Sequence, residues 1–321
     1  MRTTVVLLLV FIPFNFLLAQ KVITGYLPIF RIDSLKEVNY DNISHALLAF
    51  GNPNKKGDLE FDFRIDSIVG LLKSKNKKVI ASLGGGGSYS FGAKYKIYLD
   101  LLSDDKRNSF AKKLIKYASK NDLDGFDLNL EGKALLVPGY EKFVLLLAEK
   151  CRKKNLILMG TYFTRDSRWV SDSVLKVLDY VQVMSYGGVG IQNRFTPKNV
   201  NSVFYFEKNW DHWIKRLNSS KIIMGIPLYS PLFPLKGVSF NLENAFTSYK
   251  FLEQKMSVNF LTTKKDSIAI PEKGYAFFNN KEHLNEKINL TRSCAGYMFW
   301  EISQDAEKNS IVKYFNDNLN R

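Results

Sequence analysis

The stretch Leu123-Asp124-Gly125-Phe126-Asp127-Leu128-Asn129-Leu130-Glu131-Gly132 decides how the rest of the chain is read. Asp124-Gly125 has the chemistry of a turn. From there Phe126, Leu128 and Leu130 are apolar, while Asp127, Asn129 and Glu131 are polar. Alternation with period two predicts a strand whose three polar side chains share one face. Successive members of that set stand about 7 Å apart along the strand. On a half-exposed edge strand the polar face would meet water. The flanking segments read as apolar strands, which turns it instead toward an interior or a cleft. Acid, amide and acid in a row there suit the handling of a proton beside a bound ligand.

Outward from this stretch, short apolar runs alternate with helical spacing. Toward the N-terminus, strands are predicted at 21–30, 43–51 and 78–88, the last ending in Gly84–Gly87. Helices are predicted over 63–76 and 106–121, the second with a clear apolar stripe. Toward the C-terminus come a helix at 140–155, a strand at 156–163 and a short helix at 171–179 capped by Ser171 or Asp172. A strand at 180–188, a helix at 208–218, a strand at 221–230, a helix at 281–290, a strand at 294–303 and a helix at 309–319 follow. Eight apolar strands alternating with helices predict the α/β class and a (β/α)₈ TIM barrel. Near-continuous apolar strands fit a parallel sheet covered on both faces. The least regular region, 231–278, allows at most a small insertion between strand 7 and its following helix.

The chain has 321 residues, is 45% hydrophobic and carries 24 Phe and 16 Tyr, enough for one large core. Residues 1–20, with a basic start, an apolar run and Ala19 near the exit, read as a secretory signal peptide. Residues 21–321 then form a single barrel domain, expected to be exported, without a membrane anchor after cleavage, and monomeric. The net charge of +15 favours anionic partners in principle, but the lysines are scattered along helix-like stretches and no nucleic-acid motif is found. A solvated lysine-rich surface is the expectation. Cys151 and Cys294 either pair or remain buried thiols. His45, His212 and His283 have no metal-ligand spacing, so no metal and no cofactor is expected.

In such a barrel the chemistry sits at the C-terminal strand ends. Those ends carry Tyr26, Phe50, Ser82 to Gly85, Glu131, Met184 to Tyr186, Tyr229 and Trp300-Glu301. Aromatic rings around one acid suit sugars, whose C–H faces stack while their hydroxyls need hydrogen bonds. Each piece has a plainer reading: Gly84–Gly87 as a tight turn rather than a phosphate cradle, Phe50 and Trp300 as core, Tyr186 as a buried tyrosine.

Together the pieces resemble glycoside hydrolase family 18, the chitinase-like family. Asp124, Gly125, Asp127 and Glu131 match its Asp-Gly-x-Asp-x-Asp-x-Glu signature, with Asn129 where the family usually has Asp. Gly25-Tyr26-x-Pro28, Ala49-Phe50, Ser82-x-Gly84-Gly85, Gln182-x-Met184-x-Tyr186, Gly225-Ile226-Pro227-x-Tyr229 and Trp300 are similar to its other strand motifs, in order. The resemblance implies retaining cleavage of β-1,4 bonds beside N-acetylglucosamine, with the substrate's acetamido oxygen as nucleophile. It implies Glu131 as general acid and base, Asp127 and Asn129 as its supporting strand residues, and Tyr186 on the acetamido carbonyl. Trp300 is the implied floor under the sugar, with Tyr26, Gly85, Met184 and Tyr229 lining the same subsite. The implied partner is a polysaccharide or glycan containing N-acetylglucosamine, from chitin to N-glycans. Asn129, and Gly187 where the family commonly has Asp or Asn, also allow a weakened enzyme or a sugar-binding lectin.

Overall fold

A computed structural model describes residues 21–35, 37–61, 63–85, 93–186, 201–233 and 245–319. The signal-like segment 1–20, Gly86, Gly87 and Gly187 lie outside the described residues.

In chain order the first strands are β1 (Val22–Pro28), β2 (His45–Pro53), the two-residue β3 (Leu59–Glu60), β4 (Lys78–Gly84), β5 (Gly125–Asn129), β6 (Ile157–Tyr162), β7 (Tyr180–Val183) and β8 (Ile222–Pro227). After β9 (Tyr229–Phe233), β10 (Phe246–Ser248), β11 (Ser267–Ile270) and β12 (Gly274–Phe277) comes β13 (Gly296–Trp300). Eight of these, β1, β2, β4, β5, β6, β7, β8 and β13, pair in parallel, and β13 closes back on β1 with Val22 opposite Gly296. The barrel is therefore closed and has no free edge.

The helices are α1 (Ile32–Leu35), α2 (Asp66–Ser74), α3 (Ala93–Leu101), α4 (Arg107–Lys120), α5 (Tyr140–Arg152), α6 (Asp172–Val177), α7 (Val203–Trp213), α8 (Tyr249–Met256), α9 (Lys281–Leu290) and α10 (Ile311–Leu319). Their apolar stripes face the strands. α4 buries Phe110, Ala111 and Leu114, α5 buries Phe143, Val144 and Leu147, and the Phe110 and Phe143 rings stack 5.3 Å apart. Burying a Leu or Phe of this kind contributes about 1.5–3 kcal/mol.

The period-two reading of the central strand holds. Phe126, Leu128 and Leu130 belong to the outer core beneath the helices. Asp127 and Asn129 point the other way and are fully buried inside the barrel, 0% and 2% exposed.

Several elements differ from expectation. α7 begins at Val203 rather than near Lys208, because Ser202 caps it by accepting from Tyr205 N and Phe206, Trp210 and Trp213 form its buried face. α3 was not foreseen; its apolar residues make no strong stripe, yet Tyr98 and Leu101 are buried. The expected strand 221–230 divides at Leu228, whose N–H donates to Trp300 O and whose carbonyl accepts from Tyr249 N. That anchors the end of β8 to the barrel and starts β9 in a new direction.

Where it is described, the region expected to be irregular, after strand 7, forms regular elements. β9 to β12 form an antiparallel sheet in the order β10-β9-β12-β11, with α8 beside it. Its small core is aromatic: Tyr249 stacks on Phe260 at 4.6 Å, and Phe260 meets Phe278 edge-on at 5.3 Å. Cys151 and Cys294 are both free and buried, which removes the pairing alternative.

Candidate active site

The glycine turn after β4 comes first, because it shapes the wall. Gly84 and Gly85 have φ of +102° and +73°, backbone that side chains rarely adopt. A Cβ on Gly85 would lie 2.2 Å from the Phe50 ring, and one on Gly84 would lie 2.4 Å from Asn129 O. Gly85 N donates to that same carbonyl at 2.7 Å. These two glycines make a tight turn that lets Phe50 and β5 close in, which is the plainer of the two readings of the run.

Asp127 is the hub of the interior. Ser82 Oγ and Tyr26 Oη donate to its Oδ2 at 2.6 and 2.7 Å. Thr161 Oγ1 and Gln182 Nε2 donate to its Oδ1 at 2.7 and 3.3 Å. Gln182 is held in turn by Thr24, whose hydroxyl donates to Oε1 at 2.7 Å. Burial pushes the Asp127 carboxyl above its ordinary value, and the donors from Ser82, Thr161, Tyr26 and Gln182 pull it back. Tyr26, already raised well above a free tyrosine by burial and then by Asp127, keeps its proton.

This arrangement orients Asn129. Its Nδ2 donates to Tyr26 Oη at 3.2 Å, where the tyrosine, whose O–H points at Asp127, has lone pairs to offer. The amide oxygen is then turned away from Tyr26. It is buried and has no hydrogen-bond partner among the described residues. An orphaned buried acceptor is costly, about 1–3 kcal/mol, unless a ligand supplies the donor.

Glu131 is two residues further on, half-exposed where β5 has ended. The next backbone N–H, Gly132 N, donates to buried Asp166 Oδ2 at 3.1 Å, which ties down the segment that leaves the acid. Tyr186 faces the same space. Burial, followed by the acidic groups of Tyr229, Glu131 and Asp127, holds its hydroxyl well above the ordinary value, so it remains a donor. It now touches Met298 Sδ at 3.4 Å, a weak acceptor that a better one can replace.

Aromatic rings wall this chemistry. Phe50 stacks on Trp300 with centroids 5.5 Å apart and planes 18° apart, and Tyr26 meets Trp300 edge-on at 5.1 Å. Both flanking peptides, Ala49–Phe50 and Trp300–Glu301, are cis. Tyr186 meets Tyr229 edge-on at 6.3 Å. Tyr26, Met184, Tyr186, Tyr229, Trp300 and Phe50 all belong to one inner cluster, distinct from the core under the helices. Phe50 is thus part of the wall and not of the outer core, a change from its plainer reading. Glu301 turns aside: it is buried, paired with Arg31 at 2.9 Å and held by Ser303.

Thr161, Thr24 and Asp166 carry no signal in the sequence motifs. The only signal for Thr161 was its parity, two residues from Met159 on a strand facing inward. Among the described residues no group of His, Cys, Asp and Glu is arranged to hold a metal ion.

The chain is a closed (β/α)₈ barrel with Glu131 just after its fourth barrel strand, a polar spine behind that acid and aromatic rings around it. The sequence matches the glycosyl hydrolases family 18 over residues 22–305, and the chain belongs to that family of glycosidases. The endochitinase of Brugia malayi is 27% identical over 223 residues, covering 58% of this chain and 43% of that protein. The chain therefore spans less than half the length of this relative. Among solved structures, the chitinase ChiB from the chitin utilization locus of Flavobacterium johnsoniae superposes with a TM-score of 0.80 at 22% identity, covering 93% of both chains. A chitinase from Bacteroides thetaiotaomicron gives 0.75 at 20% identity, over 94% of this chain and 97% of its own. At these identities the superpositions establish the barrel fold.

Proposed function

We propose that the protein is an exported glycosidase that cleaves β-1,4 bonds beside N-acetylglucosamine in chitin or chitooligosaccharides, with retention of configuration. The observation that carries this reading is Asn129 Oδ1, buried without a donor and oriented by Tyr26, two residues before Glu131. An acetamide N–H is the donor it lacks. Family membership and the chitinase names among its relatives support the substrate class, and residues 1–20 support export.

The reaction follows from the residue types. Glu131 gives its proton to the leaving glycosidic oxygen while the substrate's own acetamido oxygen attacks C1, closing an oxazolinium ring. The Glu131 carboxylate then takes a proton from water, which attacks C1, opens the ring and leaves Glu131 protonated again. Asn129 accepts from the acetamide N–H and holds the nucleophilic oxygen in line. Tyr186 leaves Met298 and donates to the acetamido oxygen. Phe50 and Trp300 supply the apolar floor. An amide at 129 orients but cannot offset the positive charge of the ring, a loss on the order of 2–4 kcal/mol of transition-state stabilisation.

The test is mass spectrometry after incubating the mature protein with chitopentaose and, separately, with a high-mannose glycopeptide, with Glu131→Gln as control. Cleavage of chitopentaose by the wild type alone supports the proposal. Cleavage of the glycopeptide alone makes it an N-glycan endoglycosidase. The neutral Asn129 favours one other reading, a sugar-binding lectin, and binding of chitopentaose without product would establish that instead.

A further inference from the structure

In sequence the lysines are scattered; in the fold they collect at one end. Every helix that leads into a barrel strand runs antiparallel to it, so helix C-termini and the turns into β4, β5, β6, β7, β8 and β13 all meet at the N-terminal mouth of the barrel. This is the face opposite the candidate active site. The turn from α2 into β4 carries Lys73, Lys75, Lys77 and Lys78, and α4 ends on Lys120. The end of α5 carries Lys150, Arg152, Lys153 and Lys154. Lys176 follows at the end of α6, then Lys215, Arg216 and Lys221 between α7 and β8. Arg292 and Lys21 complete the ring, with Lys21 Nζ donating at 2.7 Å to Arg292 O.

These cations outnumber the carboxylates on the same segments, and the carboxylates are largely engaged. Asp124 pairs with Lys73 and Lys78 at 2.8 and 3.1 Å, Asp41 with Lys75 at 3.7 Å, and Glu149 with Lys153 at 2.5 Å. Lys120, Lys150, Arg152, Lys154, Lys176 and Lys215 have no carboxylate within ion-pair distance among the described residues. The opposite end is mixed: Arg64 pairs with Asp66, Lys106 with Asp100 and Arg107 with Asp104. Helix macrodipoles account for one cation per helix end. They do not account for the lysines in the turns beyond, where the dipole has faded.

We infer that this basic face is a docking surface for a phospholipid bilayer with anionic headgroups. Three features choose that occupant. The cations are spread around a whole barrel end, which suits a planar field of charge more than a single strand of polymer. They are mostly lysines, compact charges suited to diffuse attraction, rather than arginines gripping phosphates in pairs. Among the described residues the exposed aromatics are Phe30 after β1, Phe63 before α2, Phe204 at the start of α7, and Phe246 and Tyr275 in the insertion, so the described part of this face carries no exposed aromatic platform for stacking bases. Docked by this face, the barrel holds its strand C-termini, and the cleft with Glu131, away from the bilayer and toward polymer in solution. The inference does not depend on which sugar is cleaved.

The test is co-sedimentation of the mature wild-type protein with large vesicles of phosphatidylcholine, alone or mixed with phosphatidylglycerol. Binding is expected on the mixed vesicles only, and about 0.5 M salt abolishes it, because screening shortens the reach of each charge to a few ångströms. Each lysine near such a surface strengthens binding about fivefold. Charge reversal at Lys120, Lys150, Lys154 and Lys215 to Glu, which breaks no ion pair, therefore weakens binding by about a hundredfold or more. The same positions changed to Gln give a smaller loss and guard against a folding defect. Reversal at Lys55, Lys56, Lys96 and Lys142, toward the opposite end, leaves most of the binding in place. Absence of vesicle binding by the wild type overturns the inference, as does equal loss from both charge-reversal sets. Retention on duplex DNA at the same salt, without vesicle binding, assigns the face to a nucleic acid instead.

Discussion

Asn129 Nδ2 donates to Tyr26 Oη across 3.2 Å, and the oxygen of the same amide is left buried with no partner. Tyr26 in turn donates a hydrogen bond to Asp127 at 2.7 Å. The orientation of one amide at the mouth of the barrel is thus set by an acid buried below it.

Asn129→Asp is the sharpest test of that arrangement. It restores a charge facing the ring intermediate of the proposed reaction, and turnover of chitooligosaccharides is expected to rise by about thirtyfold to a thousandfold, corresponding to the 2–4 kcal/mol range. Steady-state kinetics on chitopentaose reads it. A kcat that is unchanged or lower would show that the neutral amide is not what limits the rate.

Glu131→Gln keeps the shape and removes the titrating proton. A loss of at least about a thousandfold in kcat is expected, with chitopentaose affinity changed only a few-fold. Product analysis and calorimetry on the same preparation separate the two effects. Full activity in the variant would remove Glu131 from its role.

Trp300→Ala takes away the floor on which Phe50 stacks at 5.5 Å. The expected result is a KM raised about fivefold to 150-fold, from about 1–3 kcal/mol of lost stacking and burial. Phe50→Ala, which removes the ring behind it, should raise KM less. Equal kinetics in wild type and Trp300→Ala would place the sugar elsewhere.

Asp127→Ala should be a stability mutation as well as an activity mutation. It strands the donors of Ser82, Tyr26, Thr161 and Gln182 inside a dry barrel. A loss of about 3–5 kcal/mol in urea unfolding is expected. Asp127→Asn, which still accepts, should cost less. A loss below about 1 kcal/mol for the alanine variant would mean water replaces the carboxylate freely.

Lys287 gives the fold a pH dependence. It is 1% exposed, donates to Asn201 O and to Asn279 Oδ1 at 2.5 and 2.8 Å, and burial lowers its amine from 10.5 to about 7. Between those values the unfolded chain binds the proton and the folded chain does not, so this group makes stability rise with pH in that window. From pH 7 to pH 9 its contribution is about 2–3 kcal/mol, at about 1.4 kcal/mol per pH unit. Urea unfolding of Lys287→Met at the two pH values should show that much less of a rise than wild type. An identical rise would mean the lysine finds water in the fold.

Much of this was legible in the sequence, and for definite reasons. The alternation of Phe126, Asp127, Leu128, Asn129, Leu130 and Glu131 is a local property, and it correctly predicted which side chains enter the barrel. The helix predicted over Lys281–Leu290 coincides with α9 to the residue, since its apolar spacing is also local. Cap chemistry is harder to see in sequence. Ser202 was missed as the start of α7, because the aromatic residues after it fit no clean period until Phe206, Trp210 and Trp213 find their neighbours.

By itself the sequence determined the succession of strands and helices, the barrel they imply, and the acid and aromatic residues at the strand ends, because periodicity and strand termini are written in consecutive residues. Only the tertiary structure decided what those residues meet. Thr161, Ser82, Gln182 and Tyr26 lie on four different strands, and nothing in their spacing says that they converge on Asp127. Phe50 joined the aromatic wall because Gly85 leaves room for its ring, and the scattered lysines collect at one end because the helices that lead into barrel strands finish at the same mouth of the barrel. Barrel closure sets these relations: it brings together side chains far apart in the chain, where burial and hydrogen bonding, not sequence order, fix their chemistry.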